Sequence, residues 1–128
     1  CIRDRCTLWG YDRRIRRNFC HPGKFSDYAE SFGYGVVREL CGHGIGTSLH
    51  ESPEIPNFQM RRRGPKLKAG MTIAIEPMIT LGDYEVKWMP DGWTVVTADK
   101  SLAAHYENTI LITDGEPEIL SRADGIEL

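Results

Sequence analysis

The sequence predicts an α+β domain in which a curved, mostly antiparallel sheet is accompanied by one or two helices. Short runs rich in apolar and β-branched residues, such as residues 71–79 and 103–113, are separated by turn signals, a pattern typical of antiparallel strands. Residues 26–31 have the composition of a short helix. The 128 residues amount to one domain at most, and an apolar fraction of 41% is adequate for its core.

The first predicted elements are a short helix and a strand. Residues 26–31 (SDYAES) predict a helix that Ser26 caps and that Gly33 or Gly35 ends. The apolar run at residues 34–40 predicts the strand, which leads directly into a glycine-rich segment.

That segment, residues 41–50 (CGHGIGTSLH), is predicted to be a loop that positions His43 and His50. Glycines at alternate positions let the backbone take left-handed or closely packed conformations around His43. A phosphate-binding loop is the competing interpretation, but neither a Lys-Ser/Thr pair nor a clear helix start follows. We assign His50 to substrate contact rather than to metal binding, with a surface histidine as the alternative.

The middle and end of the chain carry turn and connector signals. Three consecutive arginines, residues 61–63, predict a polar connector. Residues 84–89 and 93–97 flank Pro90-Asp91-Gly92 and predict a hairpin. Asp114-Gly115 predicts the turn that closes the last long strand.

Two predicted strands each carry a glutamate. In residues 71–79 (MTIAIEPMI) the alternation places Glu76 on the small-residue face, and Glu107 lies at the centre of residues 103–113 (AAHYENTILIT). Burying an unpaired carboxylate costs several kcal/mol, so each glutamate needs a cationic partner. An Arg or Lys partner would explain either glutamate alone. Together with His43, however, the two carboxylates form a ligand set suited to a divalent metal ion.

Three segments in combination resemble a known family: GHGIG with HESPEIPNF, then GMTIAIEPMI, then DGWTVVTADKSLAAHYENTILIT. They are similar to the C-terminal half of type I methionine aminopeptidases, in the pita-bread metallopeptidase family M24, over about residues 26–121. The resemblance implies half of a pita-bread fold in residues 25–128. It also implies a hydrolase, a metallo-exopeptidase that removes the initiator methionine from nascent proteins.

Two alternatives to this function are kept. Prolidases and aminopeptidase P share the histidine, HE.P and EP elements, but they lack the W-x-x-x-T-x-D stretch present here as Trp93, Thr97 and Asp99. A prolidase-like peptidase is therefore disfavoured. The other alternative is a non-catalytic pita-bread binding module, against which the presence of the candidate site residues argues.

The resemblance implies a role for each matching residue. His43 resembles the imidazole ligand of one metal ion, Glu76 a ligand that also acts as general acid and base, and Glu107 the carboxylate that bridges two ions. His50 resembles the histidine that hydrogen-bonds the scissile peptide.

Of four further positions, Trp93 matches the family and the other three differ from it. Leu49 and Trp93 fall where residues line the methionine pocket, although Leu49 replaces the aromatic residue common there. His105 stands where glutamine is frequent and Asn108 where histidine is frequent, and the sequence assigns neither a function.

The family site holds two divalent ions, of Fe, Mn, Co or Zn, and the sequence does not select among them. Relatives complete it with two aspartates and a histidine from an N-terminal half, and none of Asp4, Asp12 and Asp27 lies in an apolar alternating run of the needed kind. We therefore expect at most one weak metal site and no activity from this chain alone. The expected partner is a peptide or nascent chain that begins with Met, with the ribosome as a further candidate.

Residues 1–24 differ in character from the rest. They carry seven Lys/Arg against two Asp, net +5, whereas residues 25–128 carry nine against sixteen acidic residues, net −7. We expect an unstructured or artefactual basic segment ahead of a fragment, since the chain starts at Cys1; a nucleic-acid arm is disfavoured. No signal-peptide core and no apolar run of about 18 residues is visible, which argues against a membrane partner. Cysteines without a CxxC pair favour reduced thiols and a cytoplasmic location.

Overall fold

The computed structural model of the protein describes residues 22–60 and 64–121. Residues 1–21 of the predicted basic segment lie outside the described residues. The arginine connector at residues 61–63 lies outside them as well. The described residues form one helix, α1, and ten strands, β1 to β10. In chain order these are α1 (Pro22–Ser31), β1 (Gly35–Val36), β2 (Gly42–Ile45), β3 (Glu51–Ile55), β4 (Thr72–Ile75), β5 (Met78–Thr80), β6 (Val86–Trp88), β7 (Val95–Thr97), β8 (Ala103–His105), β9 (Asn108–Leu111) and β10 (Glu118–Ile119).

Helix α1 begins earlier than the sequence suggested. It starts at Pro22, whose missing N–H costs nothing in a first turn, so the prediction that Ser26 caps the helix was wrong. Ser26 instead lies inside the helix and is buried. The predicted end is confirmed: Gly33 has φ +83°, and its N–H donates to the Glu30 carbonyl at 2.9 Å. Among the described residues no helix is long and apolar enough to cross a membrane.

The strands form three antiparallel sheets, which confirms the predicted architecture. The large sheet has the order β10-β9-β4-β2-β3, the small sheet the order β1-β5-β8, and β6 pairs with β7 alone. Every pairing among the described strands is antiparallel. Strand β3, which the sequence did not predict, lies at the edge of the large sheet, where Pro53 costs little because an edge strand needs fewer donors.

The predicted hairpin is confirmed as β6–β7, with tighter bounds than expected. Its turn is held by the Asp91 carboxylate, which accepts hydrogen bonds from the N–H groups of Trp93 at 3.0 Å and Thr94 at 2.9 Å. The Thr94 hydroxyl donates to it as well, and these bonds lower the pKa of Asp91. Gly92 supplies the positive φ, +69°, that the turn requires.

The two glutamate-bearing runs are each divided between two sheets, so the prediction of two continuous strands was wrong. Residues 71–79 form β4 in the large sheet and β5 in the small sheet, with Glu76 and Pro77 between them. Residues 103–113 divide in the same way into β8 and β9, with Tyr106 and Glu107 between them. Pro77 has no N–H to give to a ladder, which accounts for the interruption of the first run. Both glutamates therefore lie at the junction of the two sheets.

The apolar core lies on the large sheet beside this junction. Ile55, Ile73 and Ile110 are each at most 5% exposed and pack together, with Leu67, Ile75 and Ile112 partly buried against them. Burying side chains of this size contributes about 1.5–3 kcal/mol each, which fixes β3, β4 and β9 as a unit.

Candidate metal centre

His43 lies on strand β2 and not in the predicted loop. Gly42 and Gly44, which flank it, are buried, and neither has a positive φ. Of the two conformations expected around His43, left-handed or closely packed, the structure has the closely packed one. A Cβ at Gly42 would overlap the carbonyl oxygen of Ala74 in β4, and one at Gly44 would overlap that of Ser52 in β3. The glycines thus bring β2 close to both neighbours and hold His43 between them.

The ring orientation of His43 is set by its own strand. Its Nδ1 lies 2.9 Å from the Gly44 carbonyl oxygen, which can only accept, so Nδ1 carries the hydrogen and donates. Nε2 faces Oε1 of Glu76 at 3.6 Å. When the ring is neutral, Nε2 presents a lone pair, and two acceptors then face each other across this gap. A proton or a cation between them would make the contact favourable, and a backbone carbonyl on the other ring nitrogen is typical support for a metal-binding histidine.

Glu76 lies at the centre of the cluster, with its side chain only 13% exposed. One carboxylate oxygen faces His43, and the other lies 3.3 Å from Nε2 of His105. Its backbone carbonyl accepts a hydrogen bond of 3.2 Å from Nδ2 of Asn57. Asn57 is fully buried, and its Oδ1 has no hydrogen-bond partner among the described residues. Sequence reasoning gave this asparagine no role, although it falls inside the HESPEIPNF segment.

Glu107 lies directly opposite Glu76 in the interrupted ladder. Ile75 is paired with Asn108 on one side of the break and Met78 with His105 on the other, so the same register passes through both glutamates. The Tyr106 N–H donates to the Pro77 carbonyl at 3.2 Å, which keeps the two chains adjacent across the break. Like charges at directly opposed positions destabilise a sheet, so a cation nearby would stabilise this pair. The prediction that Glu76 and Glu107 converge is supported by this register.

His105 was missed by the sequence reasoning. The ligand atoms of Glu76, His105 and Glu107 all lie within 4.8 Å of one another. Both His105 and Glu107 are exposed, so the expectation of a buried Glu107 was wrong, and the burial argument applies to Glu76 alone. A signal was available, because His105 and Glu107 are two residues apart and alternate residues of an extended chain share a face.

His50 lies beside the cluster. Its ring centroid is 4.2 Å from that of His43, at an interplanar angle of 52°. Leu49 is 68% exposed and adjoins His50, and Trp93 is 87% exposed in the β6–β7 turn. The structure thus places His43 beside both His50 and Glu76, and Glu76 beside Glu107, while the pocket roles of Leu49 and Trp93 stay predictions.

The pKa of Cys41 is affected by burial and by the carboxylates near it. Its pKa is raised, first by burial and then by the carboxylates of Glu54 and Glu76. The thiol is therefore protonated at neutral pH.

Thr97 and Asp99, from the W-x-x-x-T-x-D stretch that prolidases lack, hold nearby loop segments together by hydrogen bonds. The Asp99 carboxylate accepts hydrogen bonds from the N–H groups of Ser101 and Asp83, each at 2.9 Å. These bonds, that of Ser101 foremost, lower the pKa of Asp99 to about 2. The buried Thr97 donates its hydroxyl to the Ser101 carbonyl at 2.7 Å. Together the two side chains tie the segment before β8 to the loop after β5.

The donor set fits a divalent metal ion. Imidazole nitrogen and carboxylate oxygen are ligands that Zn, Mn, Fe and Co accept. Here they stand on strand ends, with two opposed carboxylates and an imidazole lone pair facing an oxygen, and each of these contacts is improved by a cation. The cluster is accordingly a candidate metal centre.

Comparison with known proteins agrees with this chemistry. Residues 22–114 match the sequence model of metallopeptidase family M24. A methionine aminopeptidase of Clostridium acetobutylicum is 61% identical over 95 residues, which cover 74% of this chain and 38% of that protein. The chain thus spans well under half the length of this curated relative.

Solved structures give the same result for the fold. The crystal structure of a methionine aminopeptidase from Thermotoga maritima matches with a TM-score of 0.80 and 41% identity, over 95% of this chain and 50% of that one. A prolidase from Pyrococcus furiosus matches with a TM-score of 0.53 and 25% identity, over 91% of this chain and 31% of that one. The predicted half of a pita-bread fold is confirmed, and the chain belongs to metallopeptidase family M24.

Proposed function

We propose that this chain carries the C-terminal half of the catalytic site of a methionine aminopeptidase, which removes the initiator methionine from nascent proteins. The observation that carries the proposal is the opposed pair Glu76 and Glu107 with His43 beside Glu76, a donor set that could hold a metal ion, in a chain of a metallopeptidase family. The comparisons favour a methionine aminopeptidase over a prolidase. Both the sequence identity and the TM-score are higher for the methionine aminopeptidase from Thermotoga maritima than for the prolidase from Pyrococcus furiosus.

His43, Glu76 and Glu107 are the residues proposed to hold metal. The complete site of the family would take two divalent ions, Fe, Mn, Co or Zn, of which this chain alone is expected to bind at most one, and weakly. When bound, a divalent ion supplies a Lewis acid that polarises the peptide carbonyl and promotes ionisation of water.

Glu76 is proposed to move the proton in peptide cleavage. One of its oxygens would accept the proton of the attacking water, and the same carboxyl would then give that proton to the leaving amine as the C–N bond breaks. Its side chain is only 13% exposed, and the Asn57 bond to its backbone carbonyl holds the residue in place at the centre of the cluster. His50, beside His43, would donate a hydrogen bond to the substrate carbonyl.

The remaining proposals concern substrate and location. Leu49 and Trp93 expose large apolar surfaces, which suits contact with a methionine side chain. The substrate would be a peptide or nascent chain with Met first, and the compartment that of newly made proteins, the cytoplasm. Association with the ribosome stays a prediction.

The test joins the chain to the N-terminal half of the Clostridium relative and measures methionine release from Met-Ala-Ser with Mn²⁺ or Co²⁺, and with Fe²⁺ under anaerobic conditions. We expect release by the joined protein, none by the chain alone, and loss of at least about 100-fold in kcat for Glu76→Gln, given the usual contribution of a general base. Glu118→Gln, in the exposed strand β10, is the matched control. Equal activity of the Glu76→Gln and Glu118→Gln proteins would refute the role of Glu76, and cleavage of Xaa-Pro dipeptides instead would favour the prolidase alternative.

A further inference from the structure

His105 has no role in the proposed function, although it lies beside Glu76. Its Nε2 is 3.3 Å from Oε2 of Glu76, on the opposite side of that carboxylate from His43. It also belongs to the group, with Glu76 and Glu107, whose ligand atoms all lie within 4.8 Å of one another. One imidazole and two carboxylates at these distances can converge on a single cation.

The backbone fixes where His105 stands. It ends strand β8, where it is the register partner of Met78 in β5. The bond from the Tyr106 N–H to the Pro77 carbonyl then holds the next residue, so His105 and Glu107 project from a chain anchored on both sides of the break. Ligands on anchored strand ends are preorganised, which favours metal binding over a transient ion pair.

Glu76 divides its two oxygens between two imidazoles. Oε1 faces His43 and Oε2 faces His105, so the carboxylate lies between two imidazoles. On the His105 side a second carboxylate, Glu107, is close enough to share an ion with His105 and Glu76. His105 is also the more accessible histidine, with a side chain 47% exposed against 13% for His43, so an ion can reach it from solvent.

We propose that His105 is a metal ligand in this protein, and that it binds one divalent transition-metal ion together with Glu76 and Glu107. The proposal rests on the proposed function only in that Glu76 and Glu107 are metal ligands there. It adds a nitrogen ligand from this chain itself, so that three side chains of the described part hold the ion. The alternative is a plain ion pair between protonated His105 and Glu76.

The test is calorimetric titration of the full 128-residue chain with Co²⁺, comparing the wild type with His105→Gln and His43→Gln. Glutamine keeps a polar side chain of similar reach but lacks the imidazole nitrogen, and Glu118→Gln controls for a change at an exposed site. We expect His105→Gln to weaken Co²⁺ binding by at least about tenfold, the lower end of the loss seen even for outer partners of metal ligands. We expect Glu118→Gln to leave the isotherm unchanged.

A second measurement needs no variant. With imidazole nitrogens labelled with ¹⁵N, one equivalent of ¹¹³Cd²⁺ should split the Nε2 resonance of His105 by coupling to the bound metal, whereas an ion held elsewhere beside Glu76 would leave it unsplit. An unsplit resonance with the ion bound, or Co²⁺ binding by His105→Gln as tight as by the wild type, would overturn the proposal. Methionine release by the joined protein would in that case leave the proposed function standing with His43, Glu76 and Glu107.

Discussion

Replacing Gly42 by alanine tests whether close strand packing is what positions His43. A Cβ at residue 42 would overlap the Ala74 carbonyl oxygen of β4 and lie 3.2 Å from both the carbonyl carbon of Ala74 and Cβ of Ile55 in β3. Strand β2 is therefore confined on both sides, and neither obstacle is the free end of a flexible side chain. We expect β2 to separate from β4 by about 1 Å, since such overpacking forces backbone shifts.

The expected cost follows from this displacement. Overpacking of this kind costs about 1–3 kcal/mol. The β2–β4 ladder has two register pairs, Gly44 with Ile73 and Ile45 with Thr72. If each loses a hydrogen bond worth about 1 kcal/mol, the total becomes about 3–5 kcal/mol. That is a large share of a typical folding free energy of about 5–15 kcal/mol.

Urea unfolding followed by circular dichroism measures the effect. With a slope of about 2 kcal/mol/M, we expect Gly42→Ala to lower the midpoint by roughly 1.5–2.5 M. Gly64→Ala is the matched control, because no atom of the described residues lies within 4 Å of a Cβ there, and its free energy of unfolding should change by less than about 0.5 kcal/mol. Equal midpoints for the two variants would refute the idea that these strands leave no room beside His43.

Two further outcomes are expected. Asn57→Asp should destabilise the fold by about 3 kcal/mol or more at pH 7, because it puts a buried carboxylate against the Glu76 carbonyl; stability should partly recover near pH 4 as that carboxyl gains a proton. Asn108→Asp is its control, since Asn108 accepts through Oδ1 from Ser121 and a carboxylate can do the same, and equal urea midpoints for the two variants would contradict the reasoning. The pKa of Asp99 is depressed from 3.8 to about 2, so its contribution to stability is present above about pH 4 and is lost as pH falls toward 2. Urea midpoints at pH 5, 4, 3 and 2 should therefore fall more steeply for the wild type than for Asp99→Asn, and a steeper fall in the variant would rule out this linkage.

Local signals in the sequence were sufficient for much of the fold. Gly33 ends the helix and residues 90–92 make the hairpin turn, because positive φ and side-chain caps depend on a few neighbouring residues. The extent of the strands was not predictable in the same way. Alternation in residues 71–79 shows that the chain is extended, but it carries no information about which partner each half pairs with. Pro77 was the one local sign of a break in that run.

The metal ligands that residue type alone identifies could be predicted from the sequence. The contacts that depend on strand register could not. An imidazole and two carboxylates in glycine-rich and strand settings indicated metal at His43, Glu76 and Glu107. The contribution of His105 depends on its pairing with Met78, and that of Asn57 on its approach to the Glu76 carbonyl; both are contacts between distant parts of the chain. Nothing in a local window encodes them.

The division of the two runs between sheets explains why the site lies where it does. Strands β4 and β9 pair in the large sheet, and β5 and β8 pair in the small one, with an unchanged register through the gap. The same two chain segments therefore cross from one sheet to the other side by side. Glu76 and Glu107 oppose each other at the crossing, where the backbone is held by the bond between Tyr106 and Pro77. In an uninterrupted sheet the same two opposed carboxylates would only repel each other and destabilise the fold. At the junction, His43 from β2 and His105 from β8 lie beside Glu76, so a bound cation would offset that repulsion.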